Sequence, residues 1–367
     1  LKAIVLSGGP GTRLRPMTCT RPKLMIPVAN QPLIDRILQK LSESGISEVV
    51  LAVNYMADAL KHYLGNTKFG LNIKYSLEPK PLGTGGPIKY AEKLLSLRIG
   101  ETLLILNGDI VTEINYRDLV EAHQKYAQSN HALLTIALHE VKDARRYGLA
   151  QLDSSGKILR FIEKPKGAKA SGLINAGIYA TDSRLFSYLK AEKCSIEREV
   201  FPVLAGEGRL YGLKQEGLWI DVGKPKEYID ANFKLLELKG GVEVAANARV
   251  DPKARIVAPS LIGEHVKVAA DAKIGPYAIL GNDVTIGDGC RIDRSIIFNG
   301  STVGNRSAIT RSVLGSSSTV GRRVKIGRGC IFGDYTVLGD RVKLARDMYV
   351  CPYKEVEKSH LRPSWIS

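Results

Sequence analysis

From Val250 to Val350 the chain places an aliphatic or aromatic residue at almost every sixth position. The series runs Val250, Ile256, Ile262, Val268, Ile274, Leu280, Ile286, Ile292 and Phe298. It slips through Val303, Ile309 and Leu314, then resumes at Val320, Ile326, Phe332, Leu338, Leu344 and Val350. Glycine, aspartate and asparagine fill the positions between. Neither a helix nor an isolated strand has that period. A hexapeptide repeat is satisfied by three short strands per turn of a parallel β-helix, each turning one apolar residue inward. A run of this length predicts about five to six coils, with one or two distorted near 298–314. Residues 353–367 leave the repeat and read as a cap or tail, so the β-helix is expected over 241–352.

Residues 1–240 have a different texture. Lys2–Leu6, Glu48–Val53, Thr102–Leu106 and Ala132–Leu138 read as apolar strands. Pro32–Ser44, Met56–Leu64, Gly86–Leu95 and Asn115–Gln128 read as helices, the first with a stripe of Leu33, Ile34, Ile37, Leu38 and Leu41. This alternation predicts an α/β domain: a Rossmann-like, mostly parallel sheet with helices on both faces. A chain of 367 residues is long for one core and suits two domains.

Composition excludes several classes. No apolar run approaches the ~18 residues that cross a bilayer, and LKAIVLSGG is too short in its apolar part for a secretory signal. A cytoplasmic protein without membrane attachment is expected. Five cysteines, widely spaced and without a CxxC pair, argue against a disulfide framework or a zinc site. The net charge of +16 is spread along the chain. No block of like charges and no aromatic-interleaved basic run marks a nucleic-acid surface, so anionic small molecules are the expected partners.

The first strand runs into GGPGTRLRPMTCTRPKLMIP, residues 8–27. A Walker A loop needs a Gly-Lys pair followed by Ser or Thr, and neither Gly156-Lys157 nor Gly223-Lys224 has one. The dinucleotide fingerprint lacks its third glycine after Gly9 and Gly11. A glycine-rich turn at the carboxyl edge of a sheet still lies where ligands bind. Gly8, Gly9 and Gly11 let backbone N–H groups approach an anion. Arg13 offers a planar fork for phosphate oxygens, and Lys23 a point charge. The loop suits a polyphosphate.

This stretch resembles the signature of the sugar-1-phosphate nucleotidyltransferases, GGxGTRLxPLT followed by PKxxxP, with Met17 in place of the usual Leu. The resemblance continues through LEPKPLGTGGPI, LILNGDI, YGLAQLD, FIEKP, INAGIY, SIEREVFP and LWIDVGKPKEYIDAN. The last two, and the hexapeptide half ending in VCPYKEVEKS, are similar to GDP-mannose pyrophosphorylases. The family's reaction joins an NTP to a sugar 1-phosphate, releasing pyrophosphate by in-line attack on the α-phosphorus. No covalent enzyme intermediate is needed, and the six histidines fall in no motif.

The resemblance implies a role for each matching residue. Asp109 and Asp221, at strand ends, would bind Mg2+. Arg13 and Lys23 would hold the triphosphate. Leu6, Gly8, Gly9, Gly11, Thr12, Glu78 and Gly83 would line the nucleotide. Lys164 would take the sugar phosphate, Glu163 the sugar hydroxyls, and Asn175 and Gly148 the rest of that pocket. Glu78 bears on the base, because a carboxylate accepts from two adjacent donors, as guanine offers, whereas uracil and thymine offer one. GTP with mannose 1-phosphate is therefore the expected pair. Uridylyl or thymidylyl transfer to glucose 1-phosphate stays open, as does a silent regulatory homologue, against which the presence of Arg13, Lys23, Asp109, Lys164 and Asp221 argues. An acyltransferase β-helix needs a histidine base, and the repeat offers only His265, near its start. An assembly module and a homo-oligomer are expected instead.

Overall fold

The structure, a computed structural model, describes residues 1–98, 100–167 and 171–367. The chain forms two compact units. One holds residues 1–10 and 33–221, the other residues 11–32 and 222–367. The expected division at 240 differs from this in two ways. The helix Pro225–Lys239 belongs to the second unit, where Tyr228 meets Phe298 edge-on and Phe233 lies 5.2 Å from Tyr277. Most of the glycine-rich signature belongs there too.

The first unit is built on a ten-stranded sheet. Its centre is four parallel strands in the order Leu103–Asn107, Lys2–Leu6, Glu48–Val53 and Leu71–Leu77. Ala3–Val5, Val49–Val53 and Leu103–Leu106 are buried throughout, as expected of strands covered on both faces. The helical stripe from Leu33 to Leu41 is buried as well.

The sheet is more mixed than a mostly parallel one. Gly172–Thr181 runs antiparallel to Leu103–Asn107, and Gly148–Leu152 pairs antiparallel with Ile158–Glu163. The connection at 153–157 is too short for a parallel crossover. Asp153 closes it, its Oδ1 accepting from the Ser155 and Lys157 amides at 2.8 and 3.0 Å.

The second unit is a left-handed parallel β-helix whose three sheets have eight, seven and six strands. Val250 lies opposite Val268, and Val268 opposite Ile286. The coil then shortens by one residue, so that Ile286, Val303 and Val320 align, as do Leu280, Ile297 and Leu314. The slip is present, but Ile297 rather than Phe298 takes the inward place. Phe298 instead packs against Tyr228, with ring centroids 6.3 Å apart. The stack also extends beyond its expected end at 352. It starts at Val242–Val244, and Glu355–Val356 and Trp365–Ile366 pair with preceding coils, so 353–367 is not simply a tail.

Two cysteines are interior residues of this stack. Burial pushes the Cys330 thiol up to about 11 and raises Cys290 as well. His265 is exposed, its Nδ1 3.5 Å from Asp283.

His123, on the helix Tyr116–Asn130, is 2% exposed, with Nδ1 3.0 Å from Thr135 Oγ1. Burial lowers its imidazole to about 4 from 6.5. A group held neutral in the fold and free to charge when unfolded adds stability above its unfolded pKa. That contribution fades as pH falls toward the folded value. The stability advantage of the native protein over His123→Gln, read by thermal unfolding, should shrink by about 2 kcal/mol from pH 8 to pH 5.

Candidate active site

The parallel strands end together at one edge. Leu6 lies opposite both Ala52 and Asn107. The register continues past the strands, with Ser7 N donating to Ala52 O, Glu78 N to Val53 O and Gly108 N to Leu6 O at 2.8–3.0 Å. Gly8, Glu78 and Asp109 therefore emerge from the carboxyl edge.

Gly8 and Glu78 touch. A Cβ on Gly8 would lie 2.6 Å from Glu78 Oε1, so a larger residue there would have to displace this carboxylate. Glu78 is 8% exposed, and its Oε2 accepts from the Leu82 amide at 3.4 Å. Burial raises its carboxyl above the usual range. It points neither to solvent nor away from the glycine turn. Gly83, a few residues on, pairs with Cys194. Space around Gly9 is open.

Asp109 occupies a turn between Leu103–Asn107 and the short strand Ile110–Thr112, which pairs with Trp219–Asp221 so that Asp221 faces Ile110. Both aspartates line one cavity of about 170 Å³. Gly148, Glu163, Lys164 and Asn175 line it too. All six residues assigned to metal or sugar phosphate in this unit thus share one cavity.

Local structure explains their poses. Gly172–Thr181 shifts register between Asn175 and Tyr179. Asn175 Nδ2 donates to Tyr179 Oη at 3.0 Å, and its Oδ1 accepts from the Gly177 amide at 2.8 Å. Burial keeps the Tyr179 phenol well above its usual range, hence neutral. Lys164 has a left-handed backbone, φ 50°, and its Nζ is 3.2 Å from Glu163 Oε1. Its side chain is 59% exposed, so it can turn to a ligand.

The cavity also holds residues that the sequence reading missed: Asn107, Arg146, Tyr147, Gly177, Glu197 and Trp219. Trp219 donates from Nε1 to Ala176 O at 2.9 Å and takes the Tyr147 ring edge-on at 5.2 Å. Glu197 accepts from Thr84 Oγ1 at 2.5 Å and Ser195 Oγ at 2.7 Å. Each lies in or beside a quoted motif, but none announces its role by residue type.

Gly11, Thr12, Arg13 and Lys23 belong to the second unit. Thr12–Leu14 and Lys23–Met25 form short 3-10 turns. Gly11, φ 62°, has Thr18 Oγ1 donating to its carbonyl at 2.9 Å. A Cβ on Gly11 would meet Lys23 Cβ at 3.3 Å, so both ends of the signature lie side by side. Arg13 and Thr12 are exposed and Lys23 is half-buried.

A parallel sheet edge with a glycine turn, a buried carboxylate and a polar cavity bearing two aspartates describes a nucleotide-handling transferase. The chain belongs to the nucleotidyl transferase family: residues 2–238 match the Nucleotidyl transferase family model, and residues 256–366 match the GMPPB C-terminal domain. Over its whole length it is 33% identical to the probable mannose-1-phosphate guanylyltransferase 2 of Oryza sativa subsp. japonica, all of which it covers. It is 35% identical to the mannose-1-phosphate guanyltransferase of Saccharomyces cerevisiae over 70% of this chain and 73% of that one. Among solved structures, HddC from Yersinia pseudotuberculosis superposes with a TM-score of 0.54 at 28% identity. The match covers 64% of this chain and 99% of that one.

Gly148 gives the site a steric test. A Cβ there would lie 2.3 Å from Phe161 Cζ and 2.9 Å from Glu163 Oε2. Gly148→Ala should cost about 1–3 kcal/mol of unfolding free energy. Adding Phe161→Leu should restore most of that loss in thermal or denaturant unfolding.

Proposed function

We propose that the protein transfers a guanylyl group from GTP to mannose 1-phosphate, forming GDP-mannose and pyrophosphate. The observation that carries this reading is the single cavity shared by Asp109, Asp221, Gly148, Glu163, Lys164 and Asn175. The full-length likeness to mannose-1-phosphate guanylyltransferases supports the choice of substrates.

A phosphate oxygen of the sugar phosphate attacks the α-phosphorus in line. The bond to the β-bridging oxygen breaks, and its electron pair leaves with pyrophosphate. No proton need move, so the protein's task is positioning and charge. Lys164 holds the sugar phosphate, while Glu163 accepts from sugar hydroxyls beside Asn175. Gly148 leaves room for the ring. Arg13 and Lys23 hold the β- and γ-phosphates and neutralise the leaving group. Glu78 accepts from N1–H and the 2-amino group of guanine against Gly8.

The donor set fits a hard divalent cation. Four carboxylates line the cavity (Asp109, Glu163, Glu197, Asp221) against two cations (Arg146, Lys164), a formal surplus of two negative charges where an anion must enter. No trio of His, Cys, Asp or Glu among the described residues forms a metal cage, and Mg2+ is commonly held by one or two carboxylates plus phosphates. Asp109 and Asp221 would hold it, and it would supply charge neutralisation at the α-phosphate. We also infer a cytoplasmic homo-oligomer assembled through the β-helix. Five free cysteines suit a reducing compartment, and the open ends of the stack suit self-association. No helix among the described residues is long and apolar enough to cross a membrane.

Pyrophosphate release, with GTP, UTP, dTTP, ATP and CTP each crossed with mannose 1-phosphate and glucose 1-phosphate, tests the reading. Turnover should be greatest for GTP with mannose 1-phosphate, depend on Mg2+, and fall by about 10²–10³ in Asp109→Ala. Turnover confined to UTP or dTTP with glucose 1-phosphate would overturn the substrate assignment. No turnover with any pair would overturn the activity.

Glu78→Gln should cut kcat/KM for GTP about tenfold or more, since it replaces an acceptor by a donor facing guanine. Because burial raises the Glu78 carboxyl, KM for GTP in the native protein should climb as pH falls below neutral toward that raised value. The variant should lack this component of the pH profile.

A further inference from the structure

The segment 11–32 is fastened within the β-helix unit at two places that bracket Lys23. Before it, Thr20 Oγ1 and Arg21 Nη2 both donate to Asp334 Oδ2 at 2.5 Å, and Arg21 Nη2 also donates to Ser316 Oγ at 2.9 Å. The Arg21 guanidinium lies over the Phe298 ring, 5.3 Å from its centroid. After it, Tyr228 Oη donates to Pro27 O at 2.5 Å, Ala29 N donates to Asn232 Oδ1 at 2.7 Å, and Asn30 Nδ2 donates to Leu280 O at 2.7 Å.

Asp334 departs from its own repeat in an informative way. It occupies one corner of the stack, where side-chain oxygens accept from the amide one coil away. Asn282 Oδ1 accepts from Glu264 N, and Asn299 Oδ1 from Asn282 N, both at 3.0 Å. Asp334 Oδ1 likewise accepts from Ser316 N at 2.8 Å. Asparagine performs that corner role twice. The charge at 334 is not needed for it, and the extra oxygen goes to Thr20 and Arg21. Asp334 is 3% exposed, and a buried ion pair gives little net stability over an apolar pair. Arg21 Nε is buried without an acceptor among the described residues, which is a further cost of burial. What the pair supplies is direction: two donors converge on one oxygen and fix the backbone just before Lys23.

We propose that Asp334 is a positioning residue for the polyphosphate loop, so that the β-helix acts in substrate binding as well as in assembly. This rests on the reading that Arg13 and Lys23 hold the triphosphate. Asp334→Asn is the selective variant, because it keeps Oδ1 for the corner and removes the acceptor of Thr20 and Arg21. Binding of inorganic pyrophosphate to the full-length protein with Mg2+, measured by calorimetry, should weaken about tenfold. KM for GTP should rise in parallel, while KM for mannose 1-phosphate stays within about twofold. The double variant Arg21→Met, Asp334→Asn leaves no charge buried alone and keeps the corner acceptor for Ser316 N. It should fold and show the same selective loss. If Arg13→Ala and Lys23→Ala weaken pyrophosphate binding but both Asp334 variants bind it like the native protein, the proposal fails while the underlying reading stands. If Arg13→Ala and Lys23→Ala also bind like the native protein, that reading fails and takes the proposal with it. An equal rise in both KM values would mark general loosening and overturn it as well.

Discussion

Everything in the first unit depends on the register of four parallel strands. Their apolar runs are buried on both faces, so hydrophobic patterning alone pins that register weakly; a one-residue slip would still bury aliphatic side chains. The ends supply what the middle lacks. At the amino edge Glu48 lies 3.6 Å from Lys2 Nζ and 2.8 Å from Lys74 Nζ, on the strands to either side. Partly exposed pairs of this kind add little stability, but a slipped register would leave them apart. At the carboxyl edge the ladder runs on through Ser7, Glu78 and Gly108. The register held at both ends brings Gly8, Glu78 and Asp109 to one edge.

The antiparallel end of the same sheet builds the cavity by a different device. A regular strand would keep Ala176–Ile178 in its ladder with Leu134–Val141; the irregularity after Asn175 releases them. Asn175 then bonds within its own strand, the Ala176 carbonyl receives Trp219, and Gly177 reaches the cavity wall. Glu163 and Gly148 face each other across the neighbouring hairpin, and the glycine gives the carboxylate its room. Parallel strands thus deliver Gly8, Glu78 and Asp109 to one edge, and the broken strand and its neighbouring hairpin deliver Asn175, Gly148 and Glu163 to the cavity.

What was legible in the sequence follows from how far apart the interacting residues lie. The β-helix was readable because its inward positions recur locally. The misplacement at Phe298 shows the limit: Ile297 and Phe298 are both large and apolar, and only the neighbouring coils and Tyr228 decide which turns inward. Asp109, Asp221 and Lys164 could be named from motifs at strand ends. Arg146, Tyr147, Glu197 and Trp219 could not, because they reach the cavity from separate elements with no signal of their own. The antiparallel pairings were hidden for the same reason, since pairing order is not written in the period of any one strand.

The repeat itself makes one long-range interaction interpretable. Inward positions of a β-helix are set by packing, and corner positions by hydrogen bonds to the next coil. A corner carboxylate has an oxygen to spare: Asp340 gives Oδ1 to the Arg322 amide and Oδ2 to the Arg322 guanidinium of the same stack. Asn282 and Asn299 meet the corner demand with neutral amides. Asp334 meets it with one oxygen and commits the other to residues 313 and 314 positions earlier. Burying a carboxylate is costly unless its charge is matched, and the match here is Arg21, beside the lysine expected to hold phosphate. A neutral residue would have served the coil; the charge serves the loop. The β-helix therefore carries within its corner ladder the information that places part of the glycine-rich signature.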